Sequence, residues 1–338
     1  MIRVFTAFSG YDSQCLALNV LMWERANQIE TLGLKGVHIE PFVYELVGWS
    51  EIDKYAIKAH NALFPQWSDR NYGDISTIDW AQVPDFDLFT YSSPCQDFSQ
   101  AGKQAGAERG SGTRSSLLWE CERAIEAKRP KYLLFENVAA VASKKFVKLF
   151  NEWQLTLERL GYTNFTQILN AKTHGYPTPV PQNRERIFMV SILNCQAPFF
   201  FPDAQPLTTR LADVLETDVD EKYYLKDERV AGLLASTERE RERGNGFAFI
   251  PKTGEDEAAT IKCSEGSRKT DNFVLVEEST HTHTHTHTHT QVLGWTRDAK
   301  GKIVDRHPVQ VANAVTAGKR ENTQNYVIEN DNLYNDGT

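Results

Sequence analysis

The chain has 338 residues, 41% of them hydrophobic and 24% charged, enough to bury one large core and a smaller one, which excludes an intrinsically disordered protein. No apolar run approaches bilayer length, and Met1-Ile2-Arg3-Val4-Phe5 lacks the zones of a signal peptide, so no membrane partner and a cytoplasmic location are expected. A net charge of −8 excludes a uniformly basic surface, so any nucleic-acid face must be local: residues 140–210 hold eight Lys or Arg against four Asp or Glu, whereas 211–260 is acidic.

Taken in chain order, Arg3 to Phe8 reads as a buried strand, Ser9-Gly10 as a turn, and Cys15-Leu16-Ala17-Leu18 as the start of an apolar helix. Similar units follow: a strand over Phe42 to Trp49 with a helix through Lys54-Tyr55-Ala56-Ile57, a strand over Asp87 to Tyr91, a helix over Leu117 to Ala127, and strands over Tyr132 to Phe135 and Arg186 to Ile192. Strands alternating with helices predict an α/β fold, a mostly parallel, doubly wound sheet whose ligands lie beyond the carboxyl ends of the strands. Pro198, Pro202 and Pro206 mark a boundary, giving a first domain over 1–198 and a second region over 207–338. Within the latter, residues 258–277 and 311–329 read as a diverged repeat that pairs Thr270-Asp271-Asn272-Phe273-Val274 with Thr323-Gln324-Asn325-Tyr326-Val327. Between the repeat units, His281 to Thr290 is five His-Thr pairs, read as a solvated low-complexity insert rather than a metal-binding tract.

Five scattered cysteines with no CxxC pair suggest neither a disulfide framework nor a zinc site, and no metal is expected. One of them, Cys95, follows a buried strand in Ser92-Ser93-Pro94-Cys95-Gln96-Asp97-Phe98-Ser99, where a proline fixes the backbone and polar neighbours suggest a reachable loop. An isolated cysteine is more often structural, and Glu136 in Phe135-Glu136-Asn137-Val138 would alone be read as a cap or surface residue.

Together and in this order, however, these segments and Gln182-Asn183-Arg184-Glu185-Arg186 resemble the DNA (cytosine-5-)-methyltransferase family, with its Pro-Cys-Gln, Glu-Asn-Val and Gln-x-Arg-x-Arg segments. The resemblance implies a Rossmann-like, S-adenosylmethionine-dependent catalytic domain followed by a smaller, mostly β target-recognition region. Double-stranded DNA is the implied partner. Catalytic roles fall to Cys95, Glu136, Arg184 and Arg186, and substrate contacts to Gln96, Ser99, Asn137 and Gln182. The S-adenosyl-L-methionine site would draw on Phe8, Ser9, Gly10, Glu51, Ile52, Asp74, Ile75 and Pro94, with Glu51 accepting from the ribose hydroxyls and Asp74 from the adenine amino group. Strand alternation is expected to aim Gln182, Arg184 and Arg186 to one side. Gly102 to Ser115 fits a loop closing over a flipped base, and Arg268, Lys269, Arg297 and Arg320 are candidates for phosphate or base contacts.

This sequence departs from the family at Tyr11-Asp12-Ser13, where further glycine is usual, which would set Asp12 near the cofactor's carboxylate. The family's closing segments, with their Gly-Asn-Ser or Gly-Asn-Ala helix, have no counterpart beyond a superficial one at Ala312-Asn313-Ala314-Val315. Weak activity alone is therefore expected, with a separate polypeptide as the source of those segments; a monomer is expected as well. Two rival readings share the pattern: a catalytically silent DNA-binding fragment, and an enzyme acting on a cytosine in tRNA.

Overall fold

The computed structural model describes residues 1–31, 43–94, 114–176, 178–216, 219–220, 223–246, 248–261, 270–276, 292–297 and 303–313. The chain divides into two compact units, one of Met1–Leu169 with Glu185–Pro202, the other of Asn170–Arg184 with Asp203–Thr338.

In the first unit β1 (Ile2–Ala7), β2 (Tyr44–Ser50), β3 (Leu88–Tyr91), β4 (Tyr132–Val138), β5 (Tyr162–Asn170) and β7 (Glu185–Leu193) form one sheet in the order β2-β1-β3-β4-β7-β5. β1 runs parallel to β2 and β3, and β3 to β4, whereas β7 is antiparallel to β4. The sheet is thus the mostly parallel α/β one expected, with β7 reversed against β4. β1 and β2 are buried along nearly their whole length, as strands of a sheet covered on both faces must be.

Helices α1 (Ser13–Thr31), α2 (Lys54–Leu63), α3 (Glu120–Lys128) and α4 (Val147–Arg159) connect the strands. Asp53 caps α2, accepting from the N–H groups of Tyr55 and Ala56. α4 buries Phe150, Trp153 and Leu157, spaced by three and four residues, against a core that includes Phe5, Phe89, Tyr91, Phe135 and Met189.

The second unit contains a three-stranded antiparallel sheet in the order β10 (Val292–Arg297), β11 (Ile303–Asn313), β9 (Phe273–Val276). Ala312 and Asn313 lie in β11, opposite Val274 and Phe273, and not in a helix. A 16-residue helix, α6 (Asp227–Glu242), packs Val230 and Leu233 beside Leu225, Phe249 and Phe273, in a region where sequence suggested only irregular and strand structure.

The segment Asn170–Arg184, which sequence groups with the first domain, packs with the second unit instead. It contains the short helix α5 (Ala171–His174) and β6 (Gln182–Asn183), the latter parallel to β8 (Ala258–Ala259). Lys172 Nζ meets Glu257 at 2.8 Å, and the Thr173 carbonyl accepts from the Gln205 N–H at 2.7 Å. The His-Thr tract and the second half of the sequence repeat, Thr323 to Val327, lie outside the described residues.

Candidate active site

The carboxyl ends of β1 and β2 are tied together by one side chain. Glu51, just past β2, accepts through Oε1 from the N–H groups of Ile52 and Asp53, at 2.7 and 2.8 Å. Its Oε2 reaches across to the Gly10 N–H at 2.9 Å. The turn after β1 bends through left-handed residues at Phe8, Gly10 and Asp12, with φ of 55, 59 and 66°. Gly10 costs nothing there, while the other two must be held. Ser9 is held from both sides: its N–H donates to the Ser50 carbonyl at 3.1 Å and its hydroxyl to the Thr6 carbonyl at 2.9 Å.

A third segment joins them. Asn71 Oδ1 accepts from the N–H groups of Glu51 and Gly73, and its Nδ2 donates to the Glu51 carbonyl. Asn71 also makes an isolated parallel bridge with Trp49. Asp74 therefore follows a single bridged residue rather than a strand of the sheet, and it caps a short 3-10 turn by accepting the N–H and hydroxyl of Ser76 through Oδ1.

The apolar residues expected to touch the cofactor separate. Ile52 is 71% exposed beside Glu51, whereas Ile75 is 2% exposed and belongs to the core, so its side chain presents no open wall. Phe8 is half-buried against that core. Asp12 also departs from expectation. Its fully buried carboxylate accepts from the Thr6 hydroxyl at 2.7 Å and the Cys15 N–H at 3.1 Å, which turns it inward, away from any ligand of the turn.

Around the next strand ends, β3 leads through Ser92 and Ser93 to Pro94, the last described residue before Cys95. Cys95, Gln96, Ser99 and the stretch from Gly102 to Thr113 lie outside the described residues. The approach to them is fixed. Asn137, at the end of β4 and 3% exposed, donates to the Ser93 carbonyl at 3.1 Å and accepts from the Val138 N–H at 2.9 Å. Asn137 is thus a buried brace for the strand end, not a surface contact for a base. Gln14 from α1 donates to Ser92 Oγ at 3.3 Å.

Glu136, on the same β4 end, is partly exposed and paired with Arg186 at 3.1 Å; the antiparallel register sets Arg186 opposite Val138. Gln182 and Arg184 do not continue the strand of Arg186. β6 ends at Asn183, β7 begins at Glu185, and Arg184 between them belongs to the second unit. The unit boundary breaks the alternation that one strand would have imposed. Asn170 accepts the Arg184 N–H at 3.1 Å and donates to Asn183 Oδ1 at 2.7 Å, fixing this stretch from within its own unit.

The other described thiols are not arranged as nucleophiles. Burial, reinforced by the Asp12 charge, pushes Cys15 far above the usual thiol range, and burial, reinforced by Glu120, raises Cys121 likewise. Cys195 is half-buried, with Sγ 2.9 Å from the Ala197 carbonyl. Among the described residues no group of His, Cys, Asp or Glu is placed to hold a metal ion, and no helix is long and apolar enough to cross a membrane.

Sequence reasoning had missed Asn71 and the bracing role of Asn137. Asn71 follows the 3-10 turn Pro65–Arg70 and Asn137 is the penultimate residue of β4, and neither position carries a local signal of its long-range partners.

Comparison with known proteins bears on the same segments. The family model described as C-5 cytosine-specific DNA methylase matches residues 29–329, well beyond the first unit. Type II methyltransferase M2.ScrFI of Lactococcus lactis subsp. cremoris is 43% identical over 265 residues, covering 68% of this chain and 72% of that protein. Type II methyltransferase M.NlaX of Neisseria lactamica is 36% identical over 229 residues, covering 68% and 70%. Among solved structures, S. pombe Dnmt2 methyltransferase superposes with a TM-score of 0.58 at 20% identity, over 84% of this chain and 79% of that one, a likeness of fold.

Proposed function

From the premise that this chain belongs to the C-5 cytosine-specific DNA methylase family, we propose that it methylates carbon 5 of cytosine in DNA through a covalent adduct with Cys95. The observation that carries the reading is the convergence of Gly10, Glu51 and the Asn71–Asp74 segment at one sheet edge, with the Pro94 strand end and the Glu136–Arg186 pair on neighbouring strands.

The residues present fit S-adenosylmethionine. With three backbone N–H groups on a carboxylate of roughly four acceptor sites, Glu51 would keep one, on Oε2, for a ribose hydroxyl, while Ile52 would offer an exposed apolar face to an adenine ring and Asp74 would accept from the adenine amino group. Phe8, Ser9 and Gly10 would line it, and Pro94 stiffens the approach to Cys95. When bound, the cofactor supplies an electrophilic methyl group.

Cytosine carbon 5 is too weak a nucleophile to take that methyl unaided. The Cys95 thiolate adds to carbon 6, the ring becomes an enamine, and carbon 5 gains its nucleophilicity from the electron pair of the carbon 5–carbon 6 double bond. Glu136 acts at ring nitrogen 3, offsetting the charge that addition creates, and Arg186 orients Glu136. Loss of the carbon-5 proton then restores the double bond and expels Cys95 as thiolate. A free thiol titrates near pH 8.5, so the site must favour the anion, a role for Arg184. A stacked base is out of reach of this chemistry, so the cytosine is flipped out; Gln96, Ser99 and Gln182 are the contacts proposed for it.

The test is methyl transfer from tritiated S-adenosylmethionine to DNA and, separately, to tRNA. Label is expected in DNA only. Cys95→Ser is expected to abolish transfer while cofactor affinity persists, and DNA carrying 5-fluorocytosine is expected to trap the wild-type chain covalently, since fluorine cannot leave as the proton does. Undiminished turnover by Cys95→Ser would refute the adduct.

A further inference from the structure

Beneath the turn of Phe8 to Asp12 lies a buried pair that the chemistry above does not use. His60, in the last turn of α2, is fully buried, and its Nε2 stands 3.6 Å from Asp12 Oδ2, whose carboxylate is equally buried. Neither ring nitrogen of His60 makes a hydrogen bond. The imidazole stacks on Trp49 of β2 with ring centroids 3.7 Å apart and planes at 18°, and it lies tilted against Phe64 with centroids 5.2 Å apart.

Asp12 is an unexpected residue for its place. At φ of 66° a glycine would sit without strain, and a carboxylate removed from water is costly unless compensated. Such a residue persists only where its surroundings over-determine it. Two neutral donors, the Thr6 hydroxyl and the Cys15 N–H at the start of α1, supply part of the compensation. The His60 imidazole is the remaining polar group the structure places beside it.

We propose that Asp12 and His60 are positioning residues for the methyl donor: the pair locks the left-handed turn that presents Ser9 and Gly10 to the cofactor. It does so by joining the start of α1 to α2, the helix that begins just past Glu51. The inference rests on the cofactor site proposed above. The turn is then held on both sides, by Glu51 at Gly10 and by His60 at Asp12. Glu51 touches the ligand; the pair acts only through the turn.

The experiment is calorimetric titration of S-adenosylmethionine into wild type, Asp12→Asn, His60→Phe and the double variant, with steady-state kinetics alongside. Each single variant is expected to raise the cofactor Kd about tenfold. The double variant should be no weaker than the worse single one, because one linkage is lost in all three. His60→Gln, whose amide can donate to Asp12, should recover most of the affinity. Turnover at saturating cofactor should fall less than about twofold, since the chemistry is untouched. A merely structural pair would lower the melting temperature without this split between Kd and turnover. Wild-type binding with an unchanged Kd in the variants, or losses that multiply, would overturn the pair's role alone. If His60→Phe does not fold, a wild-type Kd in Asp12→Asn overturns it. Absence of cofactor binding by the wild type would overturn the functional reading and this inference with it.

Discussion

Glu51 distributes two oxygens over three backbone N–H groups, and that division decides what a substitution would do. In Glu51→Gln one oxygen can still serve Ile52 and Asp53, but an amide nitrogen then faces the Gly10 N–H, donor against donor. Leaving such a group unsatisfied costs roughly 1–3 kcal/mol. We expect urea denaturation to register that loss and cofactor affinity to fall more than about tenfold. Equal affinity in the variant would remove Glu51 from the site. That a carboxylate follows β2 was readable from the sequence, because strand and turn residues are local signals. Its bond to Gly10, 41 residues away in the chain, was not, since nothing local specifies a long-range partner. The same holds for Asp12, whose inward direction depends on Thr6 and His60. The thiols differ in the same tertiary way. With Cys15 and Cys121 raised by burial, their thiolate fractions stay low at pH 8, and native iodoacetamide labelling read by mass spectrometry should modify Cys195 well before either. Early labelling of Cys121 would contradict its burial.

At the scale of elements, β1 and β2 pair with a register shift between Val4 and Phe5, which brings Phe5 opposite Gly48. The glycine is needed there. A Cβ at position 48 would stand 2.7 Å from ring carbons of both Phe5 and Tyr72, and Phe5 is fully buried among Trp80, Phe86 and Phe89 with no room to turn. Gly48→Ala should therefore destabilise the first unit by about 1–3 kcal/mol, seen as a lower denaturation midpoint with an unchanged slope. Unchanged stability would mean that the two strands can slide apart. The strands of this sheet were legible as apolar runs, and α4 was equally written in the spacing of Phe150, Trp153 and Leu157, though it went unread. The split of Gln182 to Arg186 into β6 and β7 was hidden. Local alternation is the same whether a strand continues or is shared between two units, and only the packing of Asn170–Arg184 decides.

For the whole molecule, composition set the problem correctly by forcing attention to local charge, but it could not say where a duplex would lie. The chain carries −8 overall, while residues 140–210 contribute eight cations against four anions. Some of those cations are already committed within the described residues: Arg186 to Glu136, Lys172 to Glu257 and Arg210 to Asp213. Lys144, Lys145 and Lys148, in the stretch that follows β4 and Glu136, are exposed. If phosphates are held at a local patch, affinity must follow counterion release even though the mean field of the protein is repulsive. Contacts to about five phosphates would give a slope of about −4.5 in a plot of log affinity against log salt for a duplex. Replacing Lys144, Lys145 and Lys148 together by Gln should make that slope shallower by about two to three, with cofactor affinity unchanged because none of the three belongs to the turn or to the Glu51 network. Fluorescence anisotropy with a labelled duplex between 50 and 200 mM salt, about the range over which such slopes are measured, reads both quantities. A wild-type slope near zero would count against double-stranded DNA as the partner. An unaltered slope in the triple variant would move the phosphate contacts elsewhere, leaving the cations of the second unit to supply them.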